Sequence, residues 1–340
     1  MNPQMLFVIG APRSGTTMLE HMLSAHSMIQ GGPEPHLLTP LAHLGVWDKV
    51  DKAPYDHVLA AESQKLFVCQ LPRGEADYWD ACRAYCDILY GRYMEACGGG
   101  KPICLDKTPA YALILPFMQK VFPDAKYVVI TRHPVAMFSS YANSFFDGDY
   151  LAAHAYNPVI KRYVPALAAF LRQDKTPFIH VRYEDLVRDP EVWFARICGH
   201  IGIPYERGAI EYGKKDAAPA PAGGLGDPIG VKQHTRPTTA SVKKWAAELA
   251  HDPKKLDLMR RVLAELDPAD LETIGYPLEK LWAPLEMVDG KVRPPKRPKL
   301  DRYRMQRKMI MVLRARAQKG GPFQRLLKRL RLACDVLLRE

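Results

Sequence analysis

The stretch LFVIGAPRSGTT, residues 6–17, constrains this chain more than any other. An apolar run from Leu6 to Ile9 reads as a buried strand. Glycines at 10 and 15 enclose a loop, and Met18, Leu19, Met22 and Leu23 then recur at helical spacing. A strand, a glycine loop and a helix in that order belong to a parallel sheet, and the loop is an anion cradle. Backbone N–H groups at the start of a helix converge on a negative group whatever its central atom. Gly10 and Gly15 keep the spacing of the phosphate loop of nucleoside triphosphatases, but Thr16 stands where that loop carries its lysine. That lysine reaches the terminal phosphates of a nucleotide. Arg13 offers instead a planar fork for a tetrahedral oxyanion, and Ser14, Thr16 and Thr17 add hydroxyl donors.

Three further apolar runs fit the same sheet: PICLDKTP (102–109), KYVVITRHP (126–134) and PFIHVRYEDL (177–186). Helical candidates lie between them, which predicts an α/β domain over 1–285, a P-loop-like parallel sheet flanked by helices. Residues 50–100 show no strand alternation and are expected to form a helical insertion. Residues 214–237 are rich in Pro and Gly and are expected to be loop. The run ending at Thr131 delivers Arg132 to the carboxyl edge of the sheet, where α/β folds bind ligands. Ser140 follows two helical turns beyond Pro134, a spacing that suits the Arg132 fork and two hydroxyls, those of Ser140 and Tyr183, expected to meet one anion.

The net charge of +11 is unevenly placed. Residues 291–340 hold 17 Lys and Arg against three acids, a net of +14, which leaves 31 basic and 34 acidic residues, or −3, in the first 290. Seven cysteines without a C-x-x-C pair argue against a disulfide framework or a zinc site and suit a reducing compartment. The first residues lack a basic n-region, so no signal peptide is expected. No segment reaches the roughly 18 apolar residues of a membrane span. A cytoplasmic protein is therefore expected.

Taken in order, PRSGTTMLEHMLSAHSMIQGGPE, TRHPVAMFSSY and VRYEDLVRDP resemble the sulfotransferases that use 3'-phosphoadenosine 5'-phosphosulfate (PAPS), above all the branch of the tyrosylprotein sulfotransferases. The likeness spans about residues 5–275. It implies that Arg13, Ser14, Gly15, Thr16 and Thr17 hold the 5'-phosphosulfate, and that Arg132, Ser140 and Tyr183 hold the 3'-phosphate that ATP lacks. Glu34, in GGPEPHLL, matches the catalytic acid of the tyrosylprotein branch and would be the base, with His36 the rival that the cytosolic branch suggests. Lys107, in LDKTP, resembles the lysine that stabilises the transition state, a duty Arg13 can share. Lys244 and Trp245 resemble the late segment that closes over the cofactor, with Arg236 and Lys232 as nearby cations. Sulfuryl transfer of this kind requires no metal. His21 and His26 are read as packing or surface residues, and His133 as orienting its turn.

The extension 286–340 is a separate matter. Phe323, Leu326, Leu327, Leu330, Cys334 and Leu337 recur at helical spacing among Arg325, Lys328, Arg329 and Arg331, which makes a basic amphipathic helix. Residues 300–340 would suit the anionic inner face of a membrane, or pack on the body or on a second subunit. Nucleic acid is not expected as a partner, because no base-stacking aromatics interleave the cations. A hydroxyl acceptor follows from the resemblance; a glycan or glycolipid is favoured by the tail, and a tyrosyl or small-metabolite hydroxyl competes. A P-loop kinase or nucleotidase, and a non-catalytic nucleotide binder at a membrane, are the alternatives to sulfuryl transfer.

Overall fold

The computed structural model describes residues 4–32, 34–43, 57–214 and 235–288, together with 322, 325, 326, 329 and 330 of the extension. In chain order the elements are β1 (Gln4–Ile9), α1 (Thr16–Ser24), β2 (Ile29–Gln30), α2 (Leu38–Ala42), α3 (His57–Val68), α4 (Glu75–Ala96) and β3 (Ile103–Asp106). Next come α5 (Leu115–Val121), β4 (Lys126–Thr131), α6 (Pro134–Phe145), α7 (Tyr150–Tyr156), α8 (Val159–Leu171) and β5 (Phe178–Arg182). After β5 the chain is helical: α9 (Tyr183–Arg188), α10 (Pro190–Ile201), α11 (Lys244–Ala250), α12 (Pro253–Ala264), α13 (Pro268–Thr273) and α14 (Ala283–Glu286). Proline occupies the first position of α6, α10, α12 and α13, where its missing N–H is no loss. Asp149, Asp252 and Asp267 cap α7, α12 and α13 through their side chains.

All five strands are parallel, in the order β2-β3-β1-β4-β5. The sheet is covered on both faces, which is why its strands are continuous apolar runs instead of alternating ones. Along β1, Met5, Phe7 and Ile9 enter one core with Tyr127 and Val129, while Leu6 and Val8 enter the other with Val128 and Ile130. Phe7 is fully buried and meets Phe122 at 5.2 Å and Tyr127 at 5.5 Å between ring centroids. The four strands expected from sequence are β1, β3, β4 and β5. The two-residue β2 was not foreseen, being too short to show a period.

The part of the expected insertion that is described, residues 57–100, is helical. Residues 215–234, the middle of the expected loop, lie outside the described residues, Lys232 among them. The same holds for most of the extension; its described positions 322, 325, 326, 329 and 330 are helical and exposed. Among the described residues no helix is long and apolar enough to cross a membrane. β1 is the point where strand order reverses, with β3 on one side and β4 on the other. In α/β sheets the crevice outside the carboxyl ends at such a point receives ligands.

Candidate active site

The glycine loop leaves the sheet at that crevice. Its turn closes with the Ser14 N–H donating to the Ala11 carbonyl at 3.1 Å. Arg13 sits in the left-handed region at φ 70°, a strain that a non-glycine residue tolerates only where its surroundings enforce it. Gly15 has φ 90°, and a Cβ there would lie 2.5 Å from the ring of Tyr183, so the position excludes side chains twice over. α1 starts at Thr16 with no side-chain cap and no acidic residue in its first turn. Its leading N–H groups and positive dipole end are therefore suited to an anion.

On the β4 side of the loop, register brings the second cluster together. Thr131 pairs with Arg182 at the ends of β4 and β5, so Arg132 and Tyr183 emerge side by side. The Arg132 guanidinium stacks over the Tyr183 ring, 4.3 Å from its centroid. It donates to the carbonyls of Arg13 at 2.9 Å and Ser241 at 3.0 Å, while its buried Nε has no hydrogen-bond partner. Arg13 Nε donates to Ser140 Oγ at 3.1 Å, which joins the loop to α6. From sequence Tyr183 is expected to offer a hydroxyl to this site. It instead presents its ring face, and its hydroxyl turns to Ser241.

The next residues of the YED stretch hold the turn that carries Arg132. Glu184 accepts the backbone N–H of His133 at 3.2 Å and also the hydroxyl of Tyr276. His133 stacks on buried Trp245 at 4.4 Å and bonds the Leu281 carbonyl through Nε2 at 2.8 Å. Burial holds the His133 imidazole down at about 4, so it is neutral and structural. Behind them Glu248 of α11 accepts from Ser139 and Asn143 of α6, each at 2.8 Å, and from Lys255 of α12 at 2.5 Å. That buried network fixes α11 against the helix of Ser140.

On the β3 side, Phe7 pairs with Asp106, so the chain leaves β3 at the foot of the loop with Lys107 next. Lys107 is only 4% exposed. Its ammonium forms an ion pair with Glu34 and lies 3.5 Å from the Thr17 hydroxyl. His36 Nε2 is 3.7 Å from the other Glu34 oxygen, so both base candidates face one place. A strand beside β1 ending in aspartate is where a nucleotidase would hold its magnesium, and no such strand is obvious from sequence. β3 does end in Asp106. Its carboxylate is fully buried and already accepts hydrogen bonds from Tyr90 at 2.5 Å, Thr108 at 2.9 Å and Tyr111 at 3.0 Å. Desolvation pushes it up to about 6. Tyr111 in turn accepts the Leu38 N–H at 3.1 Å and so ties the segment after Glu34 to β3. Among the described residues no group of three His, Cys, Asp or Glu side chains gathers to hold a metal ion.

Ten of the residues selected from sequence therefore surround one loop: Arg13, Ser14, Gly15, Thr16, Thr17, Glu34, Lys107, Arg132, Ser140 and Tyr183. Two stand apart. Arg236 is exposed and lies 3.7 Å from Glu191 at the start of α10, and Lys244 is exposed in the first turn of α11. The preceding segment reaches the cluster through the Ser241 backbone carbonyl, a contact no residue-type pattern can announce. His26 is buried and bonds the Pro204 carbonyl at 2.8 Å, and His21 stacks on Tyr212 at 5.8 Å. Asp106 and Glu20 were missed. For Glu20 a signal existed, since it lies one helical turn beyond Thr16 and Thr17.

A family model described as "Sulfotransferase family" matches residues 3–207. The nodulation protein NoeE of Sinorhizobium fredii is 33% identical over 138 residues, 41% of this chain and 31% of that protein. A protein-tyrosine sulfotransferase of Drosophila melanogaster is 22% identical over 212 residues, 61% of this chain and 40% of that one. The match thus spans less than half the length of either relative. The sulfotransferase domain from the curacin biosynthetic pathway shares the fold, with a TM-score of 0.50 at 21% identity over 78% of this chain and 99% of that domain. The region matched by the family model takes in the glycine loop and both strands that flank it with cations, and on this match the chain belongs to the sulfotransferase family.

Proposed function

We propose that this chain moves a sulfuryl group from PAPS to a hydroxyl acceptor. One observation carries the reading: Arg13, Arg132 and Ser140 converge on one flank of the loop while Lys107 and Glu34 pair on the other. The residues present fit the donor. The uncapped start of α1 and the hydroxyls of Ser14, Thr16 and Thr17 suit a phosphosulfate, and the unpartnered Nε of Arg132 is a donor reserved for a further anion such as a 3'-phosphate. The donor supplies the sulfuryl group and leaves as a charged 5'-phosphate. Arg13 and Lys107 neutralise the charge that builds on the leaving oxygen, an effect enlarged where water is excluded. Glu34 takes the proton of the acceptor hydroxyl. Both duties require the Lys107–Glu34 pair to open, so Lys107 turns toward the loop as Glu34 turns toward the acceptor.

We assign the acceptor as a glycan or glycolipid hydroxyl at an anionic membrane surface. The net of +14 in residues 291–340 supports this, as do Leu326 and Leu330, exposed on helical residues beside Arg325 and Arg329. A tyrosyl acceptor is the second reading, favoured by the name of the Drosophila relative. Thermal shift of the full chain tests the donor: adenosine 3',5'-bisphosphate is expected to stabilise it, Arg132→Ala to abolish that, and Mg-ATP to do neither. Equal stabilisation by Mg-ATP in both proteins overturns the donor assignment. With radiolabelled donor, label in a glycolipid fraction supports the first acceptor, and label only in tyrosyl peptides replaces it with the second.

A further inference from the structure

Glu20 lies beside this machinery and has no part in the chemistry above. It shares a face of α1 with Thr16 and Thr17, the residues that open the helix at the loop. Its Oε1 accepts a hydrogen bond from Ser24 at 3.4 Å. A Cβ on Gly31 would stand 3.4 Å from that same oxygen and 1.9 Å from Ser24 Oγ. Gly31 is thus what lets the backbone leading to Glu34 pass across the carboxyl and wall it in, and the Tyr93 hydroxyl pins that backbone by donating to the Gly31 carbonyl at 2.9 Å.

Glu20 makes no ion pair among the described residues. The charged groups that act on it are Lys107, from the end of β3, and Glu34, from the loop after β2. The first attracts and the second repels, and Lys107 is already in contact with Glu34. Burial outweighs the attraction and pushes the Glu20 carboxyl up from 4.5 to about 7. An anion docking on the start of α1 would add further negative charge a single turn away. The low dielectric makes a second bare carboxylate there unfavourable.

We propose that Glu20 is a positioning residue of the donor site: it takes up one solvent proton when the anionic donor docks on the loop and returns it when the spent nucleotide leaves. This rests on the donor reading given above. In the neutral form Glu20 no longer draws on Lys107, whose ammonium then turns from Glu34 to the leaving oxygen without a competing carboxylate on α1. The balance is one proton, from water to a carboxylate oxygen and back, with no bond made or broken elsewhere.

Calorimetric titration of the full chain with adenosine 3',5'-bisphosphate between pH 7 and pH 9, in buffers of different ionisation enthalpy, counts that proton. The phosphates of the probe titrate near pH 6, below the window. Expected for the natural chain is an uptake approaching one proton, with Kd rising up to about tenfold per pH unit. Glu20→Gln, neutral at every pH, is expected to show a flat Kd and no uptake. PH-independent binding by the natural chain, or the same slope in Glu20→Gln, overturns the Glu20 proposal and leaves the donor reading standing. Absence of binding at every pH by folded protein overturns both. Should Glu20→Gln fail to fold, the natural chain's proton count alone decides.

Discussion

The Lys107–Glu34 pair allows the sharpest test of the geometry by stability alone. Lys107 is 3% and Glu34 12% exposed in their side chains, so the pair is almost out of water. Removing one partner of a buried pair leaves the other uncompensated, at about 3–5 kcal/mol where burial is complete. Glu34→Leu strands an ammonium, but Glu20 lies in its field and reduces the loss to about 2–3 kcal/mol. Lys107→Met strands a carboxylate that keeps more contact with water than the lysine does, which limits the loss to about 1–2 kcal/mol. The double variant strands neither and loses about 1 kcal/mol or less, because two apolar side chains replace two desolvated charges. The coupling energy is then about 2–4 kcal/mol, well outside the ~0.5 kcal/mol within which independent sites add. Urea unfolding of the four proteins at pH 7, followed by circular dichroism, measures it. Losses that add within that margin would mean that the two groups are not held together, and the assignment of base and cation to one pocket would fall with them.

Two further outcomes are expected. Glu34→Gln keeps the size and hydrogen-bonding reach of the side chain but cannot accept the proton, so kcat should fall by about 10²–10⁴ while the Kd for adenosine 3',5'-bisphosphate stays within about threefold; stopped assays and calorimetry separate the two quantities, and an unchanged kcat would pass the base role to His36. Glu20→Gln should stabilise the chain at pH 8 and not at pH 4. Below 4.5 the native and unfolded chains both hold the Glu20 proton; as pH rises through about 7 the native state must ionise a buried carboxyl, and stability is lost. The shift sets an upper bound of about 3 kcal/mol, and partial solvent contact reduces it to about 1–2 kcal/mol. Urea midpoints at the two pH values measure the difference, and equal effects at both would refute the origin of the shift.

Most of the sheet was legible because β1, β3 and β4 are buried on both faces and announce themselves as apolar runs, while the half-buried edge strand β5 still carries Phe178, Ile179 and Val181. β2 was not, since two residues carry no period. The loop and its cations were legible from glycine spacing and from arginine at a strand end. Nearness in sequence said less about what touches the cluster. Arg236 follows the long loop but faces Glu191, and the cluster receives from that region a main-chain carbonyl, Ser241, which every residue type possesses. Asp106 looks from sequence like an ordinary polar strand end, and only Tyr90, Thr108 and Tyr111 turning their hydroxyls to it define it as a structural hub.

The amino-acid order alone determined that this chain begins with a strand, an anion-binding turn and a helix, because periodicity and glycine spacing are relations between neighbours. Which side chains meet was decided by tertiary structure. Arg13 reaches Ser140 across 127 positions, Arg132 stacks on Tyr183 because β4 and β5 end in register, and Glu34 finds Lys107 because β3 lies next to β1. The charge states follow from those meetings. A carboxyl such as Glu20 is ordinary in the unfolded chain, and its proton affinity changes only when burial and the charges of distant segments are brought against it.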